Sequence, residues 1–373
     1  MKTTDNNKEN EKKISFDKSN SLALKGIAIL MMLMHHSFLS KSRYEGFKVS
    51  FEPLDAQHII SISVFMKICV PVFAFISGYG LYLNYKKKKT SPGAWTASRA
   101  LKTMSGFYII WIISAIWGQI GFDSVNEKFF EKQNVYKAIT DMVINFLGLS
   151  KLLGTHTLNN TWWYMSAALV FVIMVPFFMK AEEYLPVVFF VVCALPRMFL
   201  VKYSGSTEVM QFMPAFVFGM CVAKYDLLNR WFGMYNTGKK KIIKFVVEFL
   251  LVVLSYKLYI SLAGNTYAEI KWVVVPAIVI AFCCEFINPI PKVKEVLMFL
   301  GKHSMNIFMV HTFIRHYYYR DFTYSFGHFA LIILVLLLTS LGVSIVLEFI
   351  KKRIHYDEFF AKICKRIEAY GQQ

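Results

Sequence analysis

Residues 21–40 read SLALKGIAILMMLMHHSFLS, an apolar run with a lysine near its start and two histidines near its end. A helix turns about 100° per residue, so Lys25 and His36, eleven apart, point the same way with about 16 Å of rise between them. His35 is turned about 100° from that line. Spanning a bilayer, such a helix carries a cation near one face and an imidazole near the other, a layout suited to chemistry across a membrane. Taken alone, the run is equally an ordinary spanning helix with a snorkelling lysine and two interfacial histidines.

The same texture recurs along the chain. Of its 373 residues 56% are hydrophobic and 17% aromatic, with a mean hydropathy of +0.43, too apolar for a soluble protein of this length. Apolar runs long enough to cross about 30 Å of hydrocarbon fall near 22–39, 60–83, 100–120, 162–179, 186–201, 208–223, 243–261, 271–287, 299–317 and 329–349. The expected fold is therefore an all-α, polytopic membrane bundle of about ten helices; a β-barrel would show short alternating segments instead.

The formal charge of +18 sits in the gaps between runs, so it reports topology rather than nucleic-acid binding. The lysines at 86–89 and 239–241, and Lys351, Lys352 and Arg353, share one side, which the positive-inside rule makes the cytosol, with both termini there. Such residues also attract anionic lipid or a polyanionic cosubstrate. The expected division is a polar cytosolic leader at 1–20, a transmembrane domain at 21–350 and a cytosolic tail at 351–373. The longest connection, 121–160, is then outside. Val135, Ile139, Met142, Val143 and Phe146 give it the spacing of a surface-lying or dipping helix. The six cysteines have no metal-ligand spacing and read as core residues, so no metal is expected.

Polar residues inside apolar spans are costly and become functional candidates: His35, His36, Lys67, Arg197, Glu248, Lys257, Glu285, His311 and Arg315. Glu248 and Lys257 have the bland alternative of pairing or snorkelling. Lys67 lies in FMKICVPVFAFISGYGLYL, where Pro71 frees a carbonyl one turn earlier and Ser77-Gly78 admits a close neighbour. A lysine beside a broken turn suits an anion or substrate.

These segments carry a family resemblance. LKGIAILMMLMHHSF resembles the opening of the acyltransferase 3 family, RGIAALLVVLFH, with Lys25 at the arginine and His36 at the histidine. VPVFAFISGYGLYL resembles VPLFFFISGYLL, with Lys67 where a basic residue often precedes it. TWWYMSAALVFVIMVP resembles WFLxALL through Trp163, Tyr164 and Met165, and LGKHSMNIFMVHTFI resembles LGKYSLGIYLIH through Ser304 and His311. Two departures stand out: lysine replaces the arginine at 25, losing its bidentate fork, and Arg99 and Lys102 in SRALKTM differ in spacing from the family's arginine pair.

The resemblance implies a multi-pass enzyme of the bacterial plasma membrane. It would use cytosolic acyl-CoA, most often acetyl-CoA, as a cosubstrate with no tightly bound cofactor, and acylate a hydroxyl of a cell-surface polysaccharide or its lipid-linked precursor. Some relatives carry an extracytoplasmic domain after the last helix, so here the membrane part or glycan-assembly partners would deliver to the acceptor. On this reading Lys25, Arg99 and Lys102 form one cytosolic mouth for the CoA phosphates, and His36 is the general base, because a neutral imidazole accepts a proton near pH 7. A histidine-bound acyl intermediate is a second route. Lys67, Trp163, Tyr164, His311 and Arg315 are acceptor or pore-lining candidates, with His35 and Ser304 as supporting neighbours. The aromatic residues read equally as an interfacial belt. The competing class is a transporter or flippase of a lipid-linked sugar or anion, which broken helices and buried charges also suit.

Overall fold

The computed structural model describes residues 15–131, 133–199, 210–262 and 270–372. All regular elements among them are helices, with one isolated bridge pairing Ser50 and His328. In hydrocarbon a chain must satisfy its backbone within itself, and helices do so segment by segment.

Helix α1, Lys18–Phe38, starts where the Asp17 carboxylate accepts from the Asn20 amide. Next come α2, Ala56–Phe65, and α3, Cys69–Lys86, separated by a 3-10 turn at Met66–Ile68. The expected single helix at 60–83 is thus broken one turn ahead of Pro71, which supplies no amide for that turn. Then follow α4, Pro92–Phe122, α5, Val135–Phe146, α6, Ser150–Leu153, and α7, Trp163–Lys180. The second half holds α8, Leu185–Phe199, α9, Met213–Tyr225, α10, Leu227–Gly233, α11, Gly238–Ser261, and α12, Ile270–Phe282. It ends with α13, Pro291–Thr312, α14, Arg320–Tyr324, α15, Phe329–Arg353, and α16, Tyr356–Tyr370.

Among the described residues five helical stretches are long and apolar enough to cross a membrane: Lys18–Phe38, Ala56–Lys86, Pro92–Phe122, Asn160–Lys180 and Phe329–Arg353. The other expected runs are helical too, but α8, α9 and α12 are short, and α11 and α13 carry lysines and glutamates. The Arg197 side chain lies outside the described residues.

Burial on α11 is inverted relative to a soluble helix: Ile242, Phe245, Val246 and Phe249 face outward while Lys244 and Glu248 face in. Lipid tails are as apolar as a protein core, so there is no drive to hide such side chains. Lys244 pairs with Glu285 at 2.7 Å, and Glu248 accepts from the Trp231 indole at 2.7 Å. Glu248 therefore does not pair with Lys257, which is exposed.

Two helix pairs approach backbone to backbone. A Cβ at Gly26 would collide with the carbonyl of Leu297, and one at Gly301 with that of Leu22, so α1 and α13 touch where neither has a side chain. They run parallel: Asn288 donates to Asn20 at one end of the seam, and the His36 and His311 rings meet at the other. Gly78 and Gly219 clasp α3 and α9 in the same way.

Candidate functional site

The α1 seam decides the site. Lys25 and His36, on one stripe of α1, both line a cavity of about 280 Å³ walled by α3, α4, α7 and α13. Trp163, Tyr164 and Ser304 line it as well. The structure therefore brings together five of the residues singled out in the sequence.

The two adjacent histidines are separated by their partners. His35 Nδ1 donates to the Ser63 carbonyl at 2.7 Å and ties α1 to α2. His36 is half-buried, faces the cavity and makes no hydrogen bond to a described residue. Its ring centroid lies 5.2 Å from that of His35 and 5.1 Å from that of His311. His311 is spoken for: its Nδ1 donates to the Phe308 carbonyl at 2.7 Å, which leaves Nε2 to accept from Thr312 Oγ1 at 3.1 Å. Among the three rings, His36 alone has both nitrogens uncommitted.

Arg99 and Lys102 line a different cavity, of about 460 Å³, together with Lys351, Lys365 and Glu368. The single mouth expected for Lys25, Arg99 and Lys102 is thus two compartments. Lys25 lines the His36 cavity, whereas Arg99 stands beside Glu368 of α16, which runs antiparallel along the first half of α4. The Ser91 amide donates to the Gly371 carbonyl at one end of that contact, and the Tyr356 hydroxyl donates to the Ser105 carbonyl at the other. Between them Glu368 stands 3.5 Å from Arg99 and accepts from Ser98 Oγ. The tail at 351–373 is therefore largely a helix that completes a basic pocket.

Met305 lines both the His36 cavity and the basic pocket. Gly106 makes room for it: a Cβ there would stand 3.4 Å from the Met305 methyl. On another side Trp163 lines both the His36 cavity and a third pocket, of about 440 Å³, rich in polar groups. Asn145, Ser150, Thr157 and Asn160 are among its lining, and α5 supplies the first of these. The expected amphipathic helix is present, with Val135, Ile139 and Val143 outward and Asp141 and Asn145 buried. Asn145 accepts from the Trp111 indole at 2.8 Å and donates to Ser150 and Thr157. Trp162 is buried and donates to the Met309 carbonyl at 3.0 Å, so it belongs to packing and not to an interfacial belt.

Lys67, His311 and Arg315 do not line the central cavity. Lys67 Nζ sits 5.4 Å from the Trp272 ring centroid. His311 stands behind His36. Arg315 follows four residues later in a π-turn, Phe313–Tyr318, and is buried. Sequence reasoning passed over Met305, Glu368 and Asn145. Met305 looks like any apolar helix residue, and Glu368 like any surface charge; only Asn145, polar within an apolar stripe, carried a signal.

A family model for an acyltransferase domain, acyltransferase 3, matches residues 21–349 and so ends just before α16. No curated protein and no solved structure matches the chain.

Proposed function

We propose that this chain, which belongs to the acyltransferase 3 family and is a multi-pass membrane acyltransferase, moves an acetyl group from cytosolic acetyl-CoA to a hydroxyl of a cell-surface polysaccharide or its lipid-linked precursor. The observation that carries this reading is the sequence of compartments. A basic pocket, the His36 cavity and a polar pocket adjoin in that order, sharing Met305 and then Trp163.

Arg99, Lys102, Lys351 and Lys365 suit the phosphates of CoA, since guanidinium and ammonium groups bind phosphate through charge-assisted hydrogen bonds. The pantetheine arm passes Met305, and the thioester enters the cavity between Lys25 and His36. The acceptor hydroxyl arrives from the Trp163 side, where amides and hydroxyls match the hydrogen bonding of a sugar. His36 takes the hydroxyl proton as the alkoxide attacks the thioester carbonyl. The new C–O bond forms, the C–S bond breaks, and the proton passes from His36 to the departing thiolate, which leaves as the neutral thiol; Lys25, about 16 Å of rise from His36, faces the arm of the donor. Both termini then lie in the cytosol of a bacterial cell with about ten spans, and parallel packing of the first and ninth helices, α1 and α13, accords with that count.

The test separates the two neighbouring histidines. CoA release from acetyl-CoA is followed in membranes carrying His36→Ala or His35→Ala, with insertion verified for each. Loss of a general base lowers turnover by about 10²–10⁴-fold, so His36→Ala should fall at least that far and His35→Ala much less. Full activity in the His36 variant refutes the assignment.

A further inference from the structure

We propose that Arg315 is an anion-binding residue on the acceptor side, gripping a phosphate or carboxylate carried by the hydroxyl acceptor beside His36; this rests on the transfer reaction above. Arg315 is only 2% exposed, and its Nε is enclosed without a partner. Among the described residues no carboxylate pairs with it and no hydrogen bond satisfies its guanidinium. A buried, uncompensated charge is one of the costliest features a fold can hold.

Among the described residues the other buried cations have partners: Lys244 meets Glu285 at 2.7 Å, Lys351 meets Glu348 at 2.9 Å, and Lys271 donates to the Leu262 carbonyl at 3.0 Å. Around Arg315 the charged groups have the opposite character. Arg43 lies within electrostatic reach of both Arg315 and His36, and His311 and His316 flank it in sequence. A buried guanidinium without an acid is a receptor for an anion, and its planar fork fits phosphate or carboxylate in two-pronged fashion. The π-turn that carries Arg315 begins just after His311, whose ring is 5.1 Å from that of His36. An anionic group held there lies about one turn beyond His311, at the His36 end of the seam and not at the Lys25 end. Intramembrane arginines are retained where they serve a ligand or a path.

The test reads binding rather than turnover. The protein carrying Arg99→Gln, Lys102→Gln and Lys365→Gln, which leaves in the donor pocket only Lys351, paired with Glu348 and Asp357, is purified in an uncharged sugar-headed detergent. Its thermal midpoint is followed at constant ionic strength as chloride is replaced by inorganic phosphate or by acetate. Either anion should raise the midpoint by a few degrees, and the larger response tells phosphate from carboxylate. Adding Arg315→Gln should raise the anion-free midpoint, because an unpaired buried charge is removed, and abolish the response. Arg315→Lys, which keeps the charge without the fork, should retain a weaker response. Phosphatidylglycerol added to the detergent should leave the phosphate response in place; a response to that lipid alone would mean that the site serves a membrane headgroup and overturn the acceptor assignment. No response in the parent, a response surviving Arg315→Gln, or a lowered anion-free midpoint overturns the proposal. Absence of CoA release from acetyl-CoA would defeat the reaction instead and leave these shifts untouched.

Discussion

Gly301→Ala probes the seam on which the site depends. The added Cβ would stand 2.8 Å from the Leu22 carbonyl carbon, whereas carbons in contact sit about 3.5–4.0 Å apart. The Leu22 carbonyl oxygen is nearer still, and both are backbone atoms of α1, so no side chain can swing away and α13 must retreat by at least about 1 Å. Ser304 stands one turn along α13 and Lys25 directly across, both on the cavity wall. A displacement of about 1 Å in a site that positions reactants can cost about 10²-fold in rate, and overpacking costs about 1–3 kcal/mol of stability. The variant should insert and fold with a lowered thermal midpoint, and its acetyl-CoA-dependent CoA release should drop by about 10²-fold. Gly80→Ala is the control, because nothing lies within 4 Å of a Cβ at that position. Wild-type turnover and donor KM in Gly301→Ala, with Gly80→Ala also normal, would refute the claim that the glycine contact sets the site.

Two further outcomes follow from the compartments. Met305→Trp should plug the passage between the basic pocket and the His36 cavity, lowering transfer more than about tenfold while CoA still binds; Met305→Ala should stay near the parent rate, and equal loss of CoA binding in the Trp variant would count against the passage. Glu368→Gln removes the carboxylate 3.5 Å from Arg99; since a part-exposed ion pair is worth about 0–1 kcal/mol, the donor KM should fall about threefold with kcat unchanged, and a raised KM would show that Glu368 orders the pocket instead of competing with the donor.

What the sequence disclosed and what it withheld divide along a physical line. The Lys25–His36 stripe was legible because the helix period places both residues whatever the helix packs against. The backbone break near Lys67 was legible from Pro71 for the same local reason. Partners were not: Trp272 under Lys67 and Glu368 beside Arg99 lie hundreds of residues away. Periodicity found α5 but not its orientation, since lipid and core both accept an apolar face, and only the burial of Asn145 tells them apart. The π-turns at Cys283–Ile287 and Phe313–Tyr318 have no sequence signature, and the second of them carries Arg315.

The split into compartments also bears on Lys25, which stands where the family pattern that this segment resembles has arginine. In the proposed reaction two parts of the donor need recognition, and they differ in charge. CoA phosphates call for several donors, and those stand in the Arg99 pocket. The arm of the donor, lying between Lys25 and His36, offers neutral amide carbonyls, which a compact ammonium matches as well as a planar fork does. Because Lys25 lines the His36 cavity and not the Arg99 pocket, losing the fork costs little there. The walls around it strengthen the argument: Met32, Phe73 and Phe308 line the same space, and an apolar lining keeps out water that would compete with the acceptor for the thioester while strengthening each remaining charge. On this logic Lys25→Arg should be well tolerated, whereas Lys25→Gln should raise the donor KM more than it slows the chemical step.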